Sequence, residues 1–90
     1  MKTIQVIVEG RVQGVCFRDY TARQAQQLNL TGWVRNQRDG TVEAVFRGTD
    51  GDVAAMLEWL RQGSPRSKVE NIRSREVAPD EDFTAFDVRY

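Results

Sequence analysis

An arginine opening a helix, behind a loop punctuated by glycine, is an arrangement able to hold a phosphate group. This chain has one at Gly10-Arg11-Val12-Gln13-Gly14-Val15-Cys16-Phe17-Arg18. Glycine allows backbone conformations closed to other residues, so successive N–H groups can converge on one anion. The first helical turn adds more unpaired N–H groups, and a guanidinium adds a planar, two-pronged donor. Without an anion, Arg18 is badly placed, because a positive side chain opposes the dipole at a helix N-terminus. A second polar residue, Asn36, ends the strand-like run Gly32-Trp33-Val34-Arg35-Asn36, just before Asp39-Gly40. Asparagine is disfavoured in strands. On residue type alone, Asn36 is either a polar residue on the solvent face or at the strand end near the turn, or part of a site. The glycine loop is equally open between a ligand-free connection and an anion cradle.

Several chemistries are excluded by what is missing. The 90 residues include no histidine, which removes an imidazole base, a Ser-His pair and a His-ligated metal. The single cysteine, Cys16, forms no internal disulfide and no cysteine-based metal cluster. A cysteine-dependent phosphatase loop needs arginine six positions after its cysteine, and Ala22 stands there. Nothing like Gly-Lys-Ser follows Gly14, so this is not a Walker loop. Thirteen basic residues, eleven of them arginine, balance thirteen acidic ones. Neutrality argues against coating nucleic acid or a membrane surface. No apolar run approaches the roughly 20 residues of a membrane span, and residues 1–4 lead into a strand pattern without a signal-peptide core. A cytoplasmic, soluble protein is the expectation, with residues 1–90 forming one domain.

The elements that must position these residues follow from periodicity. Ile4, Val6 and Val8 alternate with Gln5, Ile7 and Glu9 as a first strand. After the loop, a helix from about Arg18 presents Phe17, Thr21, Ala25 and Leu28 as one stripe, with Asn29 as a left-handed C-terminal cap. A second strand over 31–38 turns at Asp39-Gly40, where both residues tolerate positive φ, into a third over 41–47. Thr49 and Asp52 form a capping box for a helix buried along Val53, Met56, Leu57 and Leu60, which Gly63 and Pro65 stop. Residues 69–77 read as an irregular strand, Pro79-Asp80-Glu81-Asp82 as an exposed acidic turn, and Phe86, Val88 and Tyr90 as a last strand. The order βαββαβ with an added strand near the C-terminus predicts a ferredoxin-like α/β sandwich, an α+β fold with two helices on one face of a mainly antiparallel sheet. Trp33, Trp59 and the four phenylalanines are assigned to the core, and Arg35 and Arg38 to solvent.

Both polar motifs resemble the signatures of the acylphosphatase family, small enzymes that hydrolyse carboxyl-phosphate anhydrides. Val12-Gln13-Gly14-Val15-Cys16-Phe17-Arg18 is similar to that family's phosphate loop position for position, and Gly32 to Asn36 with Asp39-Gly40 and Val42-Glu43 to its second signature. The resemblance extends over the whole chain. It implies that the backbone of Gln13, Gly14, Val15, Cys16 and Phe17 cradles the phosphoryl oxygens, that Arg18 clamps them, and that Asn36 holds the attacking water. Gly63-Ser64-Pro65-Arg66-Ser67 departs from the family's Gly-Pro-Pro-x-Ala, at a turn far along the chain from both signatures.

The chemistry implied does not need the missing histidine. The leaving group of an acyl phosphate is a carboxylate whose parent acid has a pKa of about 4, so it departs unprotonated. Asparagine cannot accept a proton at neutral pH, so its role is orientation. Neither cofactor nor metal is implied, and the expected partners are a small acyl phosphate and inorganic phosphate, as product and inhibitor, acting on a monomer. Two alternatives stand: a non-enzymatic binding or regulatory module on the same sandwich, and a carbamoyl-phosphate-handling relative. An RNA-binding sheet would need interleaved aromatics, and Val42-Glu43-Ala44-Val45-Phe46 offers one.

Overall fold

A computed structural model of the chain describes residues 1–78 and 82–90. Strands β1 (Lys2–Arg11), β2 (Thr31–Asn36), β3 (Val42–Gly48), β4 (Lys68–Glu76) and β5 (Phe86–Arg89) alternate with helices α1 (Phe17–Gln27) and α2 (Asp50–Gln62). The sheet order is β4-β1-β3-β2-β5; β2 and β5 run parallel, and the other neighbours antiparallel. This is the ferredoxin-like sandwich expected, with the last strand added at an edge.

The period-two pattern becomes a two-faced sheet. Ile4, Val6, Val8, Val34, Val42, Ala44, Phe46 and Phe86 form the face under the helices, where they join Phe17, Ala25, Val53, Met56 and Leu60 in one core. Phe46 and Phe86 stack with ring centres 5.3 Å apart. Gly32 lets the central strands approach closely: its φ is +133°, and a Cβ there would strike the Val45 carbonyl.

Both helix ends obey the local chemistry. Asn29 has φ +57°; its N–H donates to the Gln26 carbonyl and the Leu30 N–H to the Ala25 carbonyl, a paired C-terminal cap that buries Leu30. At α2 the Thr49 hydroxyl accepts from the Asp52 N–H at 3.2 Å.

Three expectations need correction. The hairpin is not a two-residue turn with both residues at positive φ. Gly40 alone has it, at +92°; the Gly40 N–H donates to the Gln37 carbonyl and the Gln37 N–H to the Thr41 carbonyl, so β2 ends at Asn36 and the loop is longer. Trp59 and Phe83 are only half-buried, and Trp33 is buried on the face away from the helices. Its cover there is cationic: the Arg35 and Arg89 guanidinium carbons lie 5.0 and 4.8 Å from its ring centre. Arg35 is therefore no plain solvated residue, and it also pairs with Glu43 at 2.7 Å. Residues 79–81 of the expected acidic turn lie outside the described residues.

Candidate active site

Sheet register brings the two polar motifs to one end of the sheet. Val8 pairs with Val42, and Val42 with Asn36, so the three form a row. Residues in one row share a face, and Val8 and Val42 face the helices. Asn36 therefore faces the helices as well, at the end of β2, beside the loop that leaves β1 for α1. Solvent-face placement is thereby ruled out for Asn36, while its position at the strand end beside the turn is as expected.

The loop is shaped for unpaired donors. Gly14 has φ +73° and Cys16 φ +60°; Cys16 is exposed and is the residue preceding α1. Left-handed geometry at a non-glycine residue costs roughly 1–2 kcal/mol, and surrounding structure must hold it there. Residues alternating in and out of this region turn their N–H groups toward a common concavity. Among the described residues, no acceptor meets the N–H groups of residues 14–19; the first bonded N–H is that of Tyr20, to the Cys16 carbonyl at 3.1 Å. Phe17 is buried and anchors the end of the loop against Trp59, with ring centres 6.2 Å apart.

Gln13 couples the loop to the hairpin. Its Nε2 donates to the Gln37 carbonyl at 2.7 Å and to the Thr41 carbonyl at 2.8 Å. Those carbonyls flank the turn that follows Asn36, so one amide fixes the loop against the strand end. Asn36 itself is half-buried, and among the described residues its buried Oδ1 has no donor. A buried carbonyl-type oxygen left unpaired costs roughly 1–3 kcal/mol.

Arg18 is half-buried and held from β5 rather than by any carboxylate. Its Nη1 donates to the Arg89 carbonyl at 3.1 Å, and its guanidinium carbon lies 4.5 Å from the Tyr90 ring centre. One bond through one nitrogen leaves most of the guanidinium's five N–H donors available. Sequence reasoning missed these supports, because the contact spans 71 residues of chain and no local pattern marks it. It also misjudged the departing turn after α2. Ser64 is 2% exposed and its hydroxyl donates to the Val15 carbonyl at 3.4 Å. A Cβ on Gly63 (φ +71°) would sit 3.2 Å from the Phe17 ring. The turn distant in sequence is the back wall of the loop.

Electrostatics around the hairpin keep its carboxylates ionised. Burial pushes the Glu43 carboxyl up, but hydrogen bonds from Arg35, Gln5 and Gln37 and the Arg35 charge outweigh it and leave the group below its ordinary range. Asp39 is lowered by hydrogen bonds from the Thr41 hydroxyl and backbone N–H. Among the described residues no group of three or more carboxylates or cysteines is placed to hold a metal, and no helix is long and apolar enough to cross a membrane.

The loop after β1 thus carries unpaired N–H donors and leads to the Arg18 guanidinium, and Asn36, with its unpaired amide oxygen, stands at the same end of the sheet. Comparison with known proteins places the chain in a family. A family model described as acylphosphatase matches residues 4–88. An acylphosphatase of Thiobacillus denitrificans is 45% identical over 99% of this chain and 98% of its own length, and one of Methylococcus capsulatus is 49% identical over 98% and 96%. The crystal structure of acylphosphatase from Bacillus subtilis superposes with a TM-score of 0.95 at 38% identity, covering 100% of both chains. With fold, loop and full-length similarity in agreement, the chain belongs to the acylphosphatase family.

Proposed function

We propose that the chain, acting as a single domain over residues 1–90, hydrolyses acyl phosphates to carboxylate and inorganic phosphate by direct attack of water on phosphorus. The phosphoryl oxygens lie on the backbone N–H groups of Gln13, Gly14, Val15, Cys16 and Phe17, with Arg18 across them as a two-pronged clamp. Asn36 holds the water through its side-chain amide and so aims the water's lone pair at phosphorus. A new P–O bond forms from the water; the P–O bond to the acyl group breaks, and its electron pair leaves with the carboxylate. The water's proton passes to a phosphoryl oxygen. Charge on the transferring group is stabilised by donors already in place, which is where most of the rate enhancement in such reactions arises.

The observation that carries this reading is the Gln13 amide. By bonding both carbonyls of the turn after Asn36, it seats the loop with its unpaired donors beside the unpaired Asn36 oxygen. Membership of the family supports the substrate class. On this reading the enzyme works without metal or cofactor as a cytoplasmic monomer, binds no nucleic acid or membrane, and is inhibited by its phosphate product. Hydrolysis of benzoyl phosphate, measured with and without a chelator, tests it. Equal rates in both are expected; no hydrolysis overturns the activity, and a rate lost to the chelator overturns the metal-free mechanism.

A further inference from the structure

Next to the loop, on the side away from Asn36, is a cleft of about 500 Å³ lined by Arg11, Gln13, Gly14, Val15 and Arg66. Its charges are all of one sign. Arg11 ends β1 directly opposite Lys68, the first residue of β4, and Arg66 lies two residues before Lys68. Like charges directly opposite in a sheet are destabilising. Among the described residues none of these three cations has an ion-pair partner, while Arg35, Arg47, Arg61 and Arg73 do. Glu70, the next carboxylate along β4, lines a different cavity with Arg61. Arg11 and Arg66, exposed and lining the cleft with Gln13, Gly14 and Val15 of the phosphate cradle, and Lys68 beside them opposite Arg11, form an electropositive extension of that cradle.

We propose that this cleft is a subsite for the acyl half of the substrate, and that Arg11 and Arg66 select acyl phosphates bearing a second carboxylate. The inference rests on the hydrolase reading above. A phosphate held on residues 13–17 leaves the acyl group projecting from the loop, and the cleft shares that loop's residues. A carboxylate at its far end meets two guanidiniums able to bond it bidentately. Neither arginine touches the reacting atoms; both act on substrate binding and therefore on KM.

Benzoyl phosphate and 4-carboxybenzoyl phosphate, which differ only by the distal carboxylate on a rigid ring, separate the possibilities. For Arg66→Gln and Arg11→Gln, KM for 4-carboxybenzoyl phosphate should rise about fivefold each, the scale of an exposed ion pair. Their kcat, their KM for benzoyl phosphate and their inhibition by inorganic phosphate should stay unchanged. Arg66→Lys, keeping the charge, should recover part of the loss. Equal KM increases for both substrates would show that the arginines only attract the phosphoryl dianion and overturn the subsite; no change for either overturns it too. Wild-type protein that cleaves benzoyl phosphate without these differences leaves the hydrolase reading standing and removes the subsite alone. Wild-type protein that cleaves neither removes both.

Discussion

At the scale of single residues, the proposed mechanism gives Arg18 and Asn36 separable duties. Lysine at position 18 keeps the charge but loses the planar fork. Arg18→Lys should therefore lose both turnover and phosphate affinity while remaining folded, with the barrier raised by roughly 3 kcal/mol, about a hundredfold in kcat. Steady-state kinetics with phosphate as competitive inhibitor checks it. Asn36→Ala should instead abolish turnover and leave phosphate inhibition intact, because on the proposed mechanism its amide holds the water and not the anion. A parallel loss of phosphate affinity would make Asn36 a binding residue. Both positions were legible in sequence, since arginine at a helix start and asparagine in a strand each contradict local preference. The left-handed Cys16 was not: nothing in its side chain demands φ +60°, and the conformation is imposed by the loop's anchors at Gln13, Phe17 and Ser64.

Among the elements, the βα loop and the β2–β3 hairpin behave as one piece because Gln13 joins them. Replacing Gln13 by alanine removes two hydrogen bonds to carbonyls and should cost about 2 kcal/mol of stability. The backbone donors remain, but their position relative to Asn36 loosens. Gln13→Ala should therefore reduce kcat more than it raises KM, measured on benzoyl phosphate, and a purely structural role would leave kcat alone. Strand and helix identities were readable from periods of two and about four. The hairpin was not fully so: Asp-Gly marks a turn, but loop length is decided by where the last ladder bond closes, here between Gln37 and Thr41. Nor could the position of the Gly63–Ser67 turn be read, because α2 carries it back across the core to the loop. Such placement is a product of packing and leaves no local trace.

For the molecule as a whole, the helix-free face has its own polar anchor in Glu43, which is 7% exposed. Its carboxyl is lower in the folded state than its ordinary value of 4.5. The unfolded chain thus binds the proton more readily, and stability rises with pH in that range. The contribution is complete above about 4.5 and disappears as pH falls through the folded value. Glu43→Gln should remove that acid-side slope and lower stability at neutral pH by about 1.5–3 kcal/mol, the scale of a hydrogen bond to a charged group. Urea unfolding at several pH values between neutral and strongly acidic would reveal it; an unchanged slope in the variant would assign acid sensitivity elsewhere.

Arg89 touches both faces of the sheet at once. Its carbonyl holds Arg18 under the helices, while its guanidinium covers the Trp33 indole on the opposite side. The indole is thereby an optical gauge of the clamp: whatever lifts β5 away to free Arg18 also uncovers Trp33. With Trp59→Phe leaving a single tryptophan, its emission on selective indole excitation should report the seating of Arg18 against β5 from across the sheet, without any label near the site, and a β5 that peels away should redden it before the protein unfolds.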